Sequence, residues 1–208
     1  MDKQTNILKR FIIYMAILTF VMFTIWAFIK SFKNRPPGDY HTEVCDNRLK
    51  DKEYEKALKA AKTALEKTPN HRGAIMCKAL IFISKKEYPK AIDELNYLIS
   101  FLENNVKDDD KTGIGTLAAA YANRGIIKDR EKNYEEALQD YIKALGIDHV
   151  AVAGPGLGTI ILNYKFKSSS VKERALYLNE QLQLPIEERV LSIKELDEGQ
   201  VMHKPGKL

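Results

Sequence analysis

One stretch of the chain has no polar face at all. Phe11 to Ile29 reads FIIYMAILTFVMFTIWAFI without a charge. About 19 residues at 1.5 Å each span roughly 28 Å, close to the hydrocarbon thickness of a bilayer. A core helix of a soluble domain keeps a polar side, which is missing here. A cleaved leader has a shorter apolar region, and no clear small-x-small site follows this one. The pattern therefore predicts a transmembrane helix over 11–30, preceded by a short tail, 1–10. Beyond it the pattern changes. Ala57, Leu58, Ala61, Ala64 and Leu65 form an i, i+4, i+7 stripe. Stripes of this kind predict helices over 39–50, 53–66, 73–84, 88–103, 116–130 and 134–145. Pro36-Pro37-Gly38 separates them from the apolar span and defines a linker over 31–38. The fold class is all-α.

The stripes share a phrase. Tyr54-Glu55-Lys56-Ala57-Leu58 returns as Tyr88-Pro89-Lys90-Ala91-Ile92 and as Tyr134-Glu135-Glu136-Ala137-Leu138. The first two tyrosines are 34 residues apart and the next two 46, one period plus about 12 more. Four residues past each alanine stands Ala61, Leu95 or Tyr141, and three further on Ala64, Leu98 or Ala144. The pattern over 38–150 resembles the tetratricopeptide repeat (TPR) family, whose unit is a helix A, a tight turn and a helix B. In that family a small residue on helix A admits helix B; it matches Cys45, Ala79 and Gly125. The alanine opening helix B matches Ala57, Ala91 and Ala137. A large helix A position matches His41, Ile75 and Tyr121. One such hairpin cannot bury its apolar stripe alone, so units stack. The resemblance implies a helical-hairpin solenoid of three units over 39–150, interrupted by an insertion at 104–115.

The remainder, 151–199, reads as a degenerate fourth pair capping the stack. Thr159–Phe166 is its expected first helix. Ser170-Val171-Lys172-Glu173 is a capping box opening the second, which runs to about Leu184. Pro185 starts a short last helix through Leu191, and from Gln200 the chain is expected to fray as a tail, 200–208.

Composition excludes more than it adds. The net charge is +5 on 208 residues, spread among Glu–Lys neighbours, which describes a solvated surface and not a nucleic-acid footprint. Asp108-Asp109-Asp110 lacks the alternating ligands and closing glutamate of a calcium loop. Gly154-Pro155-Gly156-Leu157-Gly158 lacks the strand and Gly-Lys-Ser/Thr of a phosphate cradle. His41, His71, His149 and His203 are scattered, without metal-ligand spacing. No nucleophile elbow or CxxC occurs, so no catalytic residue, metal or cofactor is assigned and an enzyme is not expected. Cys45 and Cys77 lie on neighbouring helices A; buried free thiols are the expectation, a disulfide the alternative.

The family's concave groove maps onto Thr42, Asp46 and Leu49 in the first unit, Met76, Leu80 and Ile83 in the second, and Ala122, Ile126 and Asp129 in the third. Asp39 and Ala119 flank them. Thr42 and Asp46 do not match the basic clamp with which one subclass grips chaperone tails. The apolar middle implies either a protein-binding surface or positions covered by the chain's own insertion or cap. The expected function is a membrane-anchored scaffold, an assembly or accessory factor whose partners are proteins of a membrane complex. The alternatives are a permanent subunit of a membrane enzyme and an export-associated periplasmic chaperone. The bilayer is contacted through residues 11–29, with no nucleic-acid partner. Lys3, Lys9 and Arg10 precede the span and Lys30, Lys33 and Arg35 follow it, so charge barely orients it. A short N-terminal tail left in the cytoplasm of a bacterium places the repeats in the periplasm.

Overall fold

Each hairpin turns in the same way. At the first, Lys52 takes a positive φ of 59°, its N–H bonds Leu49 O, and the Glu53 N–H reaches back to Arg48 O at 2.8 Å. Lys86 (φ 60°) and Lys132 (φ 65°) repeat the arrangement, with Glu87 bonding Phe82 O and Asn133 bonding Lys128 O. This is the Schellman ending of a helix, built here on lysine where glycine is usual. The computed structural model describes residues 2–33, 36–152, 170–193 and 200.

Among the described residues the helices, in order, are α1 (Asp2–Lys33), α2 (Asp39–Lys50), α3 (Tyr54–Lys67), α4 (Arg72–Ser84), α5 (Tyr88–Asn105), α6 (Lys111–Arg130), α7 (Tyr134–Asp148) and α8 (Val171–Leu182). A single 3₁₀ turn follows at Ile186–Glu188. Helices α2, α4 and α6 are the three helices A, and α3, α5 and α7 the helices B. Each A packs on its own B, each B on the next A, and successive helices A pack side by side. No strand is present among the described residues. Ala57, Ala91 and Ala137 are fully buried, wedged where the helix pairs meet.

The cross-over between helices is graded in size. Down the stack the helix B residue grows from Ala61 to Leu95 to Tyr141 while the helix A residue shrinks from Cys45 to Ala79 to Gly125. A Cβ on Gly125 would stand 2.7 Å from the Tyr141 ring and 3.2 Å from Ala137 O, so only glycine admits that tyrosine. Large filling and small filling alternate across facing positions, as close packing requires.

Four expectations are corrected. The extra residues at 104–115 do not form a long loop: α5 has 18 residues and α6 has 20, leaving a short connection between Asn105 and Lys111. Asp110 is the reason, because its carboxylate caps α6 on the Gly113 N–H (2.8 Å) and pairs with Arg72 across the hairpins. That guanidinium, then the Gly113 N–H, holds Asp110 below the ordinary carboxylate pKa. Second, Cys45 and Cys77 are bonded, with Cα atoms 6.5 Å apart, so they are not free thiols. They stand 32 residues apart on α2 and α4, which pack side by side. Third, Pro185 precedes only one 3₁₀ turn, and Val190 and Leu191 are not helical. Fourth, Gln200 is engaged with the stack, as described below. The Ser170–Glu173 capping box forms as expected and opens α8. Thr159–Phe166, the Gly154–Gly158 connection and the tail beyond Gln200 lie outside the described residues.

The apolar span is helical from Asn6 to Lys30 within α1, long and apolar enough by length and composition to cross a membrane. Its large side chains are exposed on every side, Phe20 at 70% and Tyr14 at 67% among them. The Lys30 ammonium folds back over the Trp26 ring at 5.0 Å.

Candidate functional site

The candidate site is the face of the inner layer formed by α2, α4 and α6. Seven of the nine positions assigned to it from sequence are buried: Thr42 (8%), Met76 (1%), Leu80 (4%), Ile83 (1%), Ala122 (0%), Ile126 (1%) and Asp129 (5%). Asp46 and Leu49 are half-buried at the rim. The nine therefore lie on three adjacent helices, but their apolar middle is not an open surface. Met76, Leu80, Ile83 and Ile126 belong to one apolar cluster with Val171, Ala175 and Leu178 of α8, against which Leu191 also packs.

The polar end of this face is its most constructed part. Asp129, in the last turn of α6, receives the Arg174 guanidinium in a two-pronged pair, Nε to Oδ2 and Nη2 to Oδ1, each 2.7 Å. Arg174 is itself 1% exposed and also donates to Leu191 O at 2.9 Å. The Tyr141 hydroxyl donates to Asp129 Oδ2 at 3.0 Å, and Gln200 Nε2 donates to the same oxygen at 2.7 Å. A buried carboxylate is tolerable when so many donors meet it. Burial first, then the Asp129 charge, pushes the Tyr141 hydroxyl far above its ordinary pKa, so it stays a neutral donor. Arg174 and Gln200 were not visible as partners in the sequence, because they stand 45 and 71 residues from Asp129.

A second network ties the third unit to the second. Arg124 bonds both oxygens of Asp140 (2.7 and 2.8 Å) and Asn96 Oδ1 (2.6 Å), while Lys128 reaches Asp140 at 3.0 Å. It welds α5, α6 and α7 into one body.

At the other end, Asp39, Thr42 and His71 stand in a row that imitates a catalytic triad. His71 Nε2 lies 2.8 Å from Asp39 Oδ1, and Thr42 Oγ1 lies 3.4 Å from His71 Nδ1. The chemistry does not follow. Nδ1 accepts the Ala74 N–H as the N-cap of α4, and the Thr42 hydroxyl donates to Gly38 O. The lone pair that a general base needs is already used. The row is a joint: it fixes Gly38, whose φ is 101°, and the Thr68 hydroxyl holds Pro37 O beside it.

Sequence reading also missed a cleft of about 680 Å³ between α7 and α8. Leu138, Ile142, Leu145 and Leu176 line it, and Ile142 and Leu176 are more than half exposed. Among the described residues no cluster of His, Cys, Asp and Glu is arranged to hold a metal ion.

The fold is a TPR-like stack of helical hairpins, the class that the repeated phrase implied. Two solved structures are similar to it. One is the first TPR of Spaghetti (RPAP3) bound to the HSP90 peptide SRMEEVD, 14% identical over 71% of this chain and 94% of that chain, with a TM-score of 0.49. The other is the Sgt2 TPR domain from Aspergillus fumigatus, 16% identical over 77% of this chain and 93% of that chain, with a TM-score of 0.47. No family model matches the chain, and no curated protein matches it.

Proposed function

We propose that this chain is a protein-interaction scaffold anchored in a membrane by α1, an assembly or accessory factor that holds a segment of a partner along α2, α4 and α6. The observation that carries the reading is the pairing of two parts. An apolar helix with no polar face precedes a stack whose inner layer ends in a built polar site around the buried Asp129–Arg174 pair. A helix carrying Phe20, Phe28 and Trp26 on its surface needs lipid or other helices around it. The binding positions proposed remain Thr42, Asp46, Leu49, Met76, Leu80, Ile83, Ala122, Ile126 and Asp129, with Asp46 and Leu49 the first that a partner meets. Recognition by such a face is burial of an extended or helical segment, without covalent chemistry.

The repeats are proposed to face the oxidising side of a bacterial inner membrane, the periplasm. The Cys45–Cys77 bond supports this, since such bonds persist in oxidising compartments and are rare in reducing ones. Alkylation of the chain in native membranes tests it. The two thiols should resist a maleimide in denaturant until a reductant is added; immediate labelling would place the repeats on the reducing side.

Function is tested by recovering the full chain from detergent-solubilised membranes and identifying what accompanies it. Leu49→Gln, at the rim of α2, should lose the companion while Lys62→Glu, exposed on α3, should keep it. Equal recovery with both variants, each showing unchanged helical circular dichroism, would refute the groove. A companion at fixed ratio identifies a permanent subunit; many companions at low ratio identify a chaperone.

A further inference from the structure

The helices B repeat one another, so a single row of positions can be compared between units. Taking every fourth residue from the end of the repeated phrase, α3 carries Leu58, Lys62, Glu66 and Asn70. On α5 the same row is Ile92, Asn96, Ser100 and Asn104. In both, the three positions after the first are polar and exposed. On α7 the row reads Leu138, Ile142, Gly146 and Val150. It too faces outward, with Ile142 56% and Val150 70% exposed, yet it carries no polar side chain. Residues four apart form one ridge on a helix. His149 keeps helical angles (φ −65°, ψ −24°) and Asp148 Oδ1 accepts the Val150 N–H at 3.0 Å, so Val150 extends the ridge past the end of α7.

Gly146 is a second departure. Gly73, Gly113 and Gly125 each make room for a side chain of the chain itself, and Gly38 needs its positive φ. Gly146 has no such reason: a Cβ there would meet nothing within 4 Å, and its backbone is not left-handed. Glycine weakens a helix, and on an open face its use is to let another backbone come close. An exposed apolar ridge marks an interaction surface by a separate route.

The ridge also states what fits it. It is uncharged, so an oppositely charged partner gains nothing from it. About Gly146 it is symmetric, with β-branched Ile142 four residues before and β-branched Val150 four residues after. A twofold axis through Gly146 lays Ile142 of one copy on Val150 of the other, the self-complementary arrangement of an isologous pair. It also sets the two Lys143 side chains apart, each opposite His149 of the other copy.

We propose that two copies of this chain pair through α7, with the helices crossing at Gly146. Ridges of this spacing interdigitate at a crossing angle of about 50°. Two crossed helices alone bury less than the roughly 1,200 Å² of a stable pair. The contact therefore includes the cleft of about 680 Å³ beside the ridge, where Leu176 of α8 is 55% exposed.

The test weighs the full chain in detergent by light scattering, with the detergent's share subtracted. The unaltered chain should be a pair. Ile142→Asn with Gly146→Ser and Val150→Asn gives α7 the row that α5 already carries. Helical circular dichroism should stay unchanged while self-association weakens at least about tenfold. A single copy for the unaltered chain overturns the proposal, as does pairing that the triple variant leaves unchanged. If the triple variant unfolds, cysteines decide. Ile142→Cys with Val150→Cys places two thiols about 12 Å apart within a chain, too far to join, but opposite each other across the twofold. Mild oxidation in native membranes should give a covalent pair from this chain and none from Lys62→Cys. No covalent pair, or equal yields from both chains, overturns the proposal. The ridge lies on a helix B, so the result is independent of whether α2, α4 and α6 hold a partner.

Discussion

At the scale of single residues, Gly125 and Tyr141 form the tightest fit in the stack. The ring stands where any Cβ on residue 125 would be, 2.7 Å away. Gly125→Leu should abolish cooperative folding of the third unit, and Gly125→Ala should cost about 1–3 kcal/mol by overpacking. Thermal unfolding followed by circular dichroism checks both; an unchanged melt for the leucine variant would contradict the helix pairing. Tyr121 gives a pH dependence. Burial, then the Glu103 carboxylate that its hydroxyl bonds, raises its pKa to about 12 from an ordinary 10. Its folded pKa is the higher one, so its contribution is complete below pH 10 and is lost as pH rises toward about 12. The difference in melting temperature between the unaltered chain and Tyr121→Phe should therefore narrow across that window. The glycine was legible in the sequence because a repeat demands something small there. The tyrosine's environment was not, because Glu103 belongs to the preceding unit.

At the scale of elements, the three turns matter most. Lys52, Lys86 and Lys132 each hold a left-handed conformation that costs a side-chain-bearing residue about 1 kcal/mol. Replacing any one with glycine should raise stability by about 0.5–1 kcal/mol, read as an increased denaturation midpoint with an unchanged slope. Helix positions were largely legible, since apolar periodicity and the repeated tyrosine mark them within a few residues. The connection between α5 and α6 was misjudged for a physical reason. Asp110, Gly113 and Gly115 look like loop composition, yet Asp110 caps the helix and Gly113 lets its carboxylate approach: a Cβ there would meet Asp110 Oδ2 at 2.5 Å.

At the scale of the whole molecule, two long-range ties lie at opposite ends of the stack. The disulfide joins the first two helices A across 32 residues, and Arg174 joins α8 to α6 across 45. Closing a loop of that length lowers unfolded-chain entropy, so reduction should cost about 3–4 kcal/mol. Denaturant melts with and without reductant, or of Cys45→Ala with Cys77→Ala, measure it. The sequence placed both cysteines on adjacent helices but gave no register fine enough to pair them. It marked Asp129 as a groove position but could not show Arg174 and Gln200 converging on it. The candidate face was thus legible as a set of positions and illegible as a covered one. The repeats form a packed stack that follows an apolar helix, and most of the candidate positions are buried in it.

The central claim, that α2, α4 and α6 present this face to a partner at a membrane, is tested most directly by photo-crosslinking in native membranes. A photoreactive residue is placed at position 46 or 49 on the inner rim, and at position 62 on the exposed side of α3. The account predicts one discrete adduct from the rim positions and none from position 62; an adduct from position 62 alone would contradict it.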